Sequence, residues 1–405
     1  MIGNMNRSFS LGIFLPALAL SLIGVVLVYS ATYYSMDPLE HGLYSKQIVW
    51  LFIGIMLAIF IYYLPLRLHE VFSAFYYVAA LLFLIALLII SNETAQRWIR
   101  VGGMSVQPAE MAKLAVVLAL ARYLAFRKIN YENFSWIIVM IVLVAIPAGL
   151  VLIQPDLGSS LVFFALFFGI LIWTGLPLNR VLLMITPVIS MLAAIHWISW
   201  AIFFLLLLLL LSLSKLRILQ GFFFFMINLA FGMMTPLLWN KLHGYQKMRI
   251  IIFLDPGQDP RGAGYQIIQS KIAVGAGGLF GQGFLKGSQT KLSFLPEQQT
   301  DFIFSVLSEQ FGLIGDLVVL ALFGWLFYKG FSLAHKARNQ FYAYIACGFS
   351  TILVFQVLLN IGMTVGLMPV TGLPLPFLSY GGSSLLFFWA IIGFLLAINR
   401  DWQEY

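Results

Sequence analysis

Apolar runs follow one another along almost the whole chain, and mostly short polar connections separate them. An apolar helix needs about 20 residues to cross a bilayer. Because backbone polar groups cannot stay unpaired in lipid, runs of this length and number restrict the chain to a bundle of membrane-spanning helices. The runs lie near residues 11–30, 47–64, 71–90, 109–126, 134–153, 158–174, 181–197, 199–213, 218–239, 302–328, 341–360 and 382–398.

The composition supports the same fold class. Of the 405 residues, 61% are hydrophobic and only 9% are charged, whereas about 25% of the residues of a soluble domain are charged. No water-soluble fold could bury this much apolar surface. We therefore predict an all-α polytopic membrane protein, with a single integral membrane domain over residues 1–405. The one cysteine, Cys347, excludes an internal disulfide.

The charges of the connections predict the topology. In a soluble protein the net charge of +8 would point to nucleic acid. Here the positive-inside rule explains it, because basic residues gather in short cytoplasmic loops. Twelve crossings place both termini in the cytoplasm. The connections and the tail that are then cytoplasmic hold Arg67, Arg127, Lys128, Arg180, Lys215, Arg217, Lys329, Lys336, Arg338 and Arg400.

Residues 240–300 form the largest connection, which this topology places on the extracytoplasmic side. Its length makes it the expected seat of chemistry, and its pattern predicts a short interfacial helix over Gly264–Val274. The following run GAGGLFGQG (Gly275–Gly283) lacks the Gly-Lys-Ser/Thr ending of a P-loop. A flexible loop is therefore favoured over a phosphate cradle.

The sequence carries no pattern that calls for a cofactor. DPGQDP (Asp255–Pro260) resembles the paired aspartates of a metal–nucleotide sugar site, but its prolines and glycine favour a turn. The five histidines are scattered along the chain and form no cluster. We predict no cofactor, and whether a divalent cation takes part stays open.

Two carboxylates, Glu297 and Asp301, stand just before a long apolar run. A carboxylate at the membrane surface could act as a general base, and partial burial would raise its proton affinity. An acid at the amino end of a helix also favours the positive end of the helix dipole. From spacing alone this structural explanation is favoured for Asp301. Glu297 is as consistent with a solvated interfacial acid as with a role in the site.

Four motif-bearing regions between residues 97 and 384 closely resemble the SEDS family, the shape, elongation, division and sporulation proteins. The last region fits that family's signature throughout its length. Two stretches, YQIIQSKIA and GSQTKLSFLPEQQTDF, are more similar to the elongation members than to the division members. The regions are RWIRVGGMSVQPAEMAKLA (Arg97–Ala115), QPDLGSS (Gln154–Ser160), DPRGAGYQIIQSKIAVGAGGLFGQG with LPEQQTDFIFSVLSEQFG (Asp259–Gly283, Leu295–Gly312) and NIGMTVGLMPVTGLPLPFLSYGGSS (Asn360–Ser384).

The resemblance implies a fold and an activity. SEDS proteins have ten core transmembrane helices and a large extracytoplasmic loop. They are peptidoglycan glycosyltransferases that polymerise lipid II on the outer face of the bacterial plasma membrane, together with a class B penicillin-binding protein that crosslinks the strands. This chain departs from the pattern at residues 181–239, which are long enough for three crossings where the family has one. We therefore expect twelve helices, with a two-helix insertion over residues 199–239.

The resemblance also assigns residues to the reaction. Asp301 matches the family's essential aspartate, so we expect it to be the general base, with undecaprenyl pyrophosphate as the leaving group. Basic residues near the outer interface could stabilise that pyrophosphate, although each alone is more typical of a contact with lipid headgroups. The substrate-binding candidates are Glu297, Arg97, Arg100, Lys271, Glu110, Lys113, Lys286, Lys291 and Ser379.

Several polar residues have structural explanations as well. Glu110 and Lys113 are three residues apart, which favours an ion pair, while the resemblance places them along the family's cavity. Asp156 is expected to cap the helix that follows it rather than to bind substrate. Glu309 and Asp316 are acids within a span and are site candidates on that ground.

Prolines and glycines interrupt the stretch Pro369–Gly382 between two spans. Such breaks are tolerated at membrane depth only where protein or a water-filled cavity covers the backbone. We therefore predict a re-entrant segment packed beside the large loop, and Ser379 is its substrate-binding candidate.

Two other classes of function stay as alternatives. A flippase for lipid-linked cell-wall precursors would account for the many spans, the broken helices and the intramembrane acids. It would not require Asp301 at the outer surface, and the sequence shows no internal repeat of the kind that many transporters carry. A structural scaffold would leave the clustered polar motifs without a purpose.

Overall fold

The structure is a computed structural model that describes residues 9–35, 37, 40–90, 97–101, 104–131, 135–214, 216–241, 244, 247–248, 252–253, 255–260, 262, 264–292 and 294–402. These residues form two compact units. The first unit consists of the chain up to Ile170 and from Pro256 onwards, and the second consists of Leu171–Asp255.

Apolar helices make up most of both units. In the described part of the chain, eight helices are long and apolar enough to cross a membrane, and three shorter helices are also apolar. With α4, each predicted run is a helix, so the all-α membrane fold is confirmed. The helices are α1 (Leu11–Tyr33), α2 (Leu43–Tyr63), α3 (Leu66–Ile90), α4 (Pro108–Ala125), α5 (Ser135–Ile153), α6 (Leu157–Trp173), α7 (Leu178–Ala193), α8 (Trp197–Leu213), α9 (Ile218–Lys241), α10 (Tyr265–Gly277), α11 (Ser288–Lys291), α12 (Ile303–Lys336), α13 (Gln340–Thr364) and α14 (Gly382–Asp401).

A small hairpin precedes α4, and the predicted all-α class did not include it. Its strands are β1 (Ile99–Val101) and β2 (Met104–Val106), which pair antiparallel with Ile99 opposite Val106. Three-residue strands are too short to show an alternating apolar pattern in the sequence. The hairpin leads directly into the amino end of α4 and so belongs to the end of the bundle that carries the motifs.

The core of the first unit lies where α14 packs against α2. A Cβ at Gly54 of α2 would lie 2.8 Å from the buried indole of Trp389, and a Cβ at Gly393 of α14 would lie 2.8 Å from the carbonyl oxygen of Ala58. Small residues at these positions let the two backbones approach closely, as is typical of helix contacts in membranes.

Helix α12 is broken at Gly312, whose φ of 64° and ψ of −165° lie outside the helical region. The glycine-rich run Gly275–Gly283 pairs with this break. The amides of Gln282 and Gly283 donate to the carbonyls of Glu309 and Gln310, at 2.9 and 3.0 Å. On the other side of the break, the amides of residues 313 and 314 donate to the carbonyls of residues 278 and 279.

These contacts explain the glycines of the run. A Cβ at Gly277 or Gly281 would collide with the carbonyl oxygens of Ser308 and Gln310. The run therefore supplies partners to backbone groups that the broken helix leaves unpaired. The interpretation as a flexible loop was wrong, because the hydrogen bonds that hold the run come from a helix distant in sequence.

The stretch predicted as a re-entrant segment is a non-helical connection that protein covers, while its re-entry into the membrane stays a prediction. Between α13 and α14 the chain makes no helix, and Leu375, Phe377 and Leu378 are buried. The side-chain amide of Gln47 donates to the carbonyl of Ser379 at 3.0 Å, which ties the segment to α2. The segment thus has protein partners of the kind that membrane depth requires.

The predicted short helix of the large loop is observed as α10, over Tyr265–Gly277. Ser270 anchors it, since its hydroxyl lies 2.7 Å from the Ser305 hydroxyl and donates to the carbonyl of Thr364 at 2.7 Å. The predicted turn at DPGQDP is confirmed too, by a 3₁₀ turn at Pro256–Gln258. Both elements stand in the connection that precedes Asp301.

The second unit contains α7, α8 and α9, the three helices expected over residues 181–239. Buried polar side chains join them. Asn228 donates to the Thr186 hydroxyl at 3.0 Å, the Ser190 hydroxyl donates to the Asn228 carbonyl at 2.7 Å, and the Trp200 indole donates to the Ser190 hydroxyl at 3.1 Å. Such interhelical hydrogen bonds stabilise helix packing in membranes. That residues 199–239 are an insertion stays a prediction.

Candidate active site

Asp301 stands in the turn just before α12. The amides of Thr300 and Asp301 both donate to the carbonyl of Glu297 at 3.1 Å, so the turn brings the two acids to one end of the helix. The pKa of Asp301 is raised from 3.8 to about 6, because burial and, to a smaller extent, the charge of Glu297 raise it by more than the hydroxyl of Thr300 and the charge of Arg97 lower it. A carboxylate with this pKa is ionised at neutral pH and can still accept a proton.

Two backbone segments form the wall behind Asp301. The side-chain amide of Asn360, fully buried in α13, donates to the carbonyl of Asp301 at 3.0 Å and to that of Leu373 at 2.8 Å. Gly372 has a φ of +72°, and a Cβ there would lie 3.5 Å from Asp301 Oδ2. Asn360 was not among the residues predicted for the site from the sequence. A buried amide within an apolar span was the signal that could have found it.

Ser379 is close to Asp301 in the fold, but its hydroxyl forms hydrogen bonds with backbone groups. It donates to the carbonyl of Thr300 at 2.5 Å and accepts from the amide of Leu375 at 2.8 Å. The amide of Tyr380 donates to the carbonyl of Gln299 at 2.9 Å. These bonds hold the re-entrant segment against the turn that carries Asp301, while a substrate contact of Ser379 stays a prediction.

Arg97 is the basic residue whose charge acts on Asp301. Its guanidinium donates to the carbonyl of Pro155 and lies 3.9 Å from the carboxylate of Asp156. Asp156 accepts from the amide and the hydroxyl of Ser159, at 3.1 and 2.8 Å, so its prediction as a cap of α6 is confirmed. Asp156 therefore has two roles, as it also places a negative charge near the guanidinium of Arg97.

Arg100 lies on β1, opposite Ser105. The structure does not describe the side chain of Arg100, so its predicted role in substrate binding lies outside the described part of the chain.

Glu110 and Lys113 form the predicted ion pair at the amino end of α4. The Lys113 nitrogen lies 2.7 Å from a Glu110 carboxylate oxygen, both side chains are almost fully buried, and the ammonium also lies 4.6 Å from the centre of the Phe387 ring. Among the described residues neither group has a hydrogen-bond partner apart from this pair. The pair is therefore a desolvated charge centre whose role toward a substrate stays a prediction.

Lys271 projects from α10 on the side of the re-entrant segment. Its side chain is exposed, and its Cε and Nζ lie against Gly366, which has a φ of +78°. A Cβ at that glycine would collide with the lysine. The contact keeps a cation beside the connection that also forms the wall of the Asp301 site.

Lys286 and Lys291, the two other basic candidates, lie in or just before the short helix α11, and both are exposed. The buried carboxylate of Glu309 holds this helix, because it accepts from the amides of Gln289 and Thr290, at 2.7 and 3.1 Å, and from the Thr290 hydroxyl at 2.6 Å. Glu309 thus anchors the segment that carries the two lysines. No described contact joins either lysine to Asp301.

Asp316, predicted as a site candidate because it is an acid within a span, pairs with a residue of its own helix. Its carboxylate accepts from the hydroxyl of Ser308 at 2.8 Å, across the break at Gly312. This bond stabilises the broken helix and does not involve Asp301.

The comparisons with known proteins cover nearly the whole chain. A family model for FtsW, RodA and SpoVE, described as a cell cycle protein, matches residues 11–203 and 199–404. The peptidoglycan glycosyltransferase MrdB of Escherichia coli (strain K12) is 35% identical over 388 residues, which are 95% of this chain and 93% of the relative.

A second relative and a solved structure agree with this. The peptidoglycan glycosyltransferase RodA of Treponema pallidum (strain Nichols) is 34% identical over 418 residues, covering 95% of this chain and 96% of the relative. Among solved structures, a chain from a study of the structural coordination of polymerization and crosslinking by a peptidoglycan synthase complex matches with a TM-score of 0.73. It is 29% identical, and the match covers 98% of this chain and 99% of that chain.

Proposed function

The chain belongs to the FtsW, RodA and SpoVE family of cell cycle proteins and is a peptidoglycan glycosyltransferase, and we propose that it polymerises lipid II with Asp301 as the general base. The observation that carries this proposal is the position of Asp301. The carboxylate lies just outside a membrane-spanning helix, its pKa is about 6, and the charges of Glu297 and Arg97 act on it in opposite directions.

The chemistry follows from the bond that has to form. The C4 hydroxyl oxygen of an acceptor sugar attacks C1 of the donor sugar, and the bond from C1 to the lipid pyrophosphate breaks. The hydroxyl proton passes to the carboxylate of Asp301, and the pyrophosphate leaves with the electron pair. General base catalysis of this kind typically contributes about 10²–10⁴-fold to the rate.

The leaving group requires positive charge, because the pyrophosphate gains charge as the bond to C1 breaks. Arg97 is suited to this, since its charge already acts on Asp301 and its guanidinium donates to the carbonyl of Pro155. Lys271 is the second candidate, beside Gly366. Lys286 and Lys291, on the segment anchored by Glu309, are suited to contacts with more distant parts of the lipid-linked substrate.

The proposed topology places Asp301 at the outer face of the plasma membrane and both termini in the cytoplasm. It rests on the basic residues of the short loops. Cysteine labelling tests it in a Cys347→Ser background with Ser288→Cys and Ile218→Cys, both at exposed positions. An impermeant thiol reagent should label only the first in intact cells and both after permeabilisation. Labelling of Ile218→Cys in intact cells would contradict the topology of α8 and α9.

We assign the enzyme to cell elongation and rod-shape maintenance, with a class B penicillin-binding protein as its partner. The assignment to elongation is supported by YQIIQSKIA and GSQTKLSFLPEQQTDF, which resemble the elongation members. The choice of partner is supported by the similar solved chain, which comes from a study of polymerization and crosslinking by a peptidoglycan synthase complex. Depletion in a rod-shaped host should give rounded cells that still divide, whereas filaments would indicate a division member.

A polymerisation assay tests the proposed activity directly. The full-length protein, alone and with its partner, is supplied with labelled lipid II in detergent, and the products are separated on a gel. Detergent removes the two leaflets, so a flippase would leave lipid II unchanged. We expect glycan strands. If the folded protein forms no glycan strands with its partner but translocates lipid II in vesicles, the result would favour the flippase.

A further inference from the structure

An open groove lies between α3, α4 and α5, near the end of α4 that is opposite the candidate active site. Its volume is about 690 Å³, which falls within the roughly 300–1,000 Å³ of small-molecule sites. Arg122, on its rim, is twelve residues from Glu110 along α4, or about 18 Å at 1.5 Å per residue. The groove is therefore separate from the residues assigned to glycosyl transfer.

Positive charge marks one end of this groove. Arg122 and Arg127 both line it. One nitrogen of Arg122 donates to the carbonyls of Glu70 and Val71, at 3.0 and 2.7 Å, which fixes the guanidinium on the rim. The guanidinium carbon of Arg127 lies 5.5 Å from the centre of the Tyr123 ring. In the described part of the chain, no carboxylate forms a salt bridge with either arginine.

Apolar surface forms the rest of the groove. The small side chains of Ala74 on α3 and Ala119 on α4 leave the groove open. Val78 and Phe126 also line it and are more than half exposed. The hydroxyl of Tyr77 donates to the carbonyl of Leu143 at 3.1 Å, so this tyrosine presents its ring to the groove rather than an unpaired hydroxyl. The groove thus combines a lipid-facing apolar channel with a cationic rim.

We propose that this groove is a binding site for an anionic phospholipid. One acyl chain lies in the channel between α3, α4 and α5, and the phosphate accepts hydrogen bonds from Arg122 and Arg127. Basic pockets between transmembrane helices bind anionic headgroups in this way, and the planar guanidinium matches phosphate oxygens. A zwitterionic lipid offers the same chains but less negative charge, so charge complementarity selects the anionic lipid. In the proposed topology the site faces the cytoplasmic leaflet, and it is independent of glycosyl transfer.

Native mass spectrometry of the delipidated full-length protein tests the site, with phosphatidylglycerol and phosphatidylethanolamine of identical acyl chains as probes. Arg127→Gln removes a charge that makes no hydrogen bond to the described residues, and Ala74→Phe fills the channel from an exposed position. Lys329→Gln is the matched control, because its ammonium also stacks on an aromatic ring, that of Trp325 at 5.0 Å, but does not line the groove.

The wild-type protein should retain phosphatidylglycerol more tightly than phosphatidylethanolamine. Arg127→Gln should weaken the retention of phosphatidylglycerol about fivefold, as expected for one basic side chain near an anionic lipid. Ala74→Phe should abolish the preference, and Lys329→Gln should leave it unchanged. Equal retention of both lipids by the wild type would overturn the proposal. So would an equal effect of Arg127→Gln and Lys329→Gln, which would indicate general attraction to the surface.

Discussion

The side-chain amide of Asn360 donates to the backbone carbonyl of Asp301 at 3.0 Å, and the same nitrogen donates to the carbonyl of Leu373 at 2.8 Å. A fully buried residue of α13 therefore joins the turn before α12 to the re-entrant segment. The position of the Asp301 carboxylate depends on this bond between segments that are far apart in the sequence.

Replacing Asn360 should disturb the fold and the reaction together. Asn360→Leu keeps the branching of the side chain but leaves two buried carbonyls without this donor, at a cost of about 1–3 kcal/mol. We expect a lower melting temperature and a loss of lipid II turnover.

Asn228→Leu is the matched control. Asn228 is also a fully buried amide in an apolar helix, and it donates to the Thr186 hydroxyl and to the Phe224 carbonyl within the second unit. This variant should melt lower and polymerise lipid II normally. Wild-type turnover by Asn360→Leu would show that the bond to Asp301 is not needed for the reaction.

The pH dependence of turnover should follow the ionisation of Asp301. Only the ionised carboxylate accepts the proton, so the rate should rise with pH through about 6 and level off above it. Because the charge of Glu297 raises this pKa and the charge of Arg97 lowers it, Glu297→Gln should move the midpoint to lower pH. Arg97→Gln should move it to higher pH. A pH–rate profile with partner present measures both shifts, and a midpoint that neither variant moves would exclude Asp301 as the titrating base.

Lys271 should contribute to turnover through its charge. A charge-assisted hydrogen bond is worth roughly 1.5–3 kcal/mol, so Lys271→Ala should lower turnover at limiting lipid II about ten- to a hundredfold. Lys271→Arg should restore part of it, because a planar guanidinium differs from a compact ammonium and Gly366 leaves little room. Lys336→Ala, at an exposed position near the carboxyl end of α12, is the control. Equal rates for Lys271→Ala and the control would leave Lys271 as an interfacial residue only.

Glu309 should act as a positioning residue. In Glu309→Gln one acceptor oxygen becomes an amide that faces the backbone N–H groups of Gln289 and Thr290. We expect α11 to loosen, with faster tryptic cleavage at Lys286 and Lys291 and a raised KM for lipid II at a smaller change in kcat. Asp316→Asn is the control, because this acid of the same helix contacts Ser308 instead. An unchanged KM despite faster cleavage would separate the two lysines from substrate binding.

Local patterns in the sequence predicted much of the fold. Twelve of the helices follow from runs of apolar residues, the cap of α6 follows from Asp156 just before it, and the ion pair of Glu110 and Lys113 follows from their spacing of three. Each of these depends on neighbours in the sequence. They could be predicted because helix geometry alone fixes which neighbours meet.

Contacts between distant segments could not be predicted in this way. The amide of Asn360, the carboxylate of Glu309 and the glycines beside Gly312 all act on backbone groups of another segment. Asp301 was assigned through the resemblance, whereas spacing alone favoured a helix-dipole role. Nothing in its local sequence shows the burial or the neighbouring Arg97 that set its pKa.

Lipid II polymerisation by Asp301→Asn tests the central claim most directly, because the substitution keeps the shape of the side chain and removes the base. Burial is the main reason that the pKa of Asp301 in the folded protein, about 6, is above the usual 3.8. The ionised carboxylate therefore destabilises the folded protein, and stability is lost as the pH rises from about 3.8 through about 6. The variant should therefore melt no lower than the wild type at pH 7.5 and still bind its partner. We predict that it forms no glycan strands from labelled lipid II. Strands formed at near the wild-type rate would contradict the assignment of Asp301 as the general base.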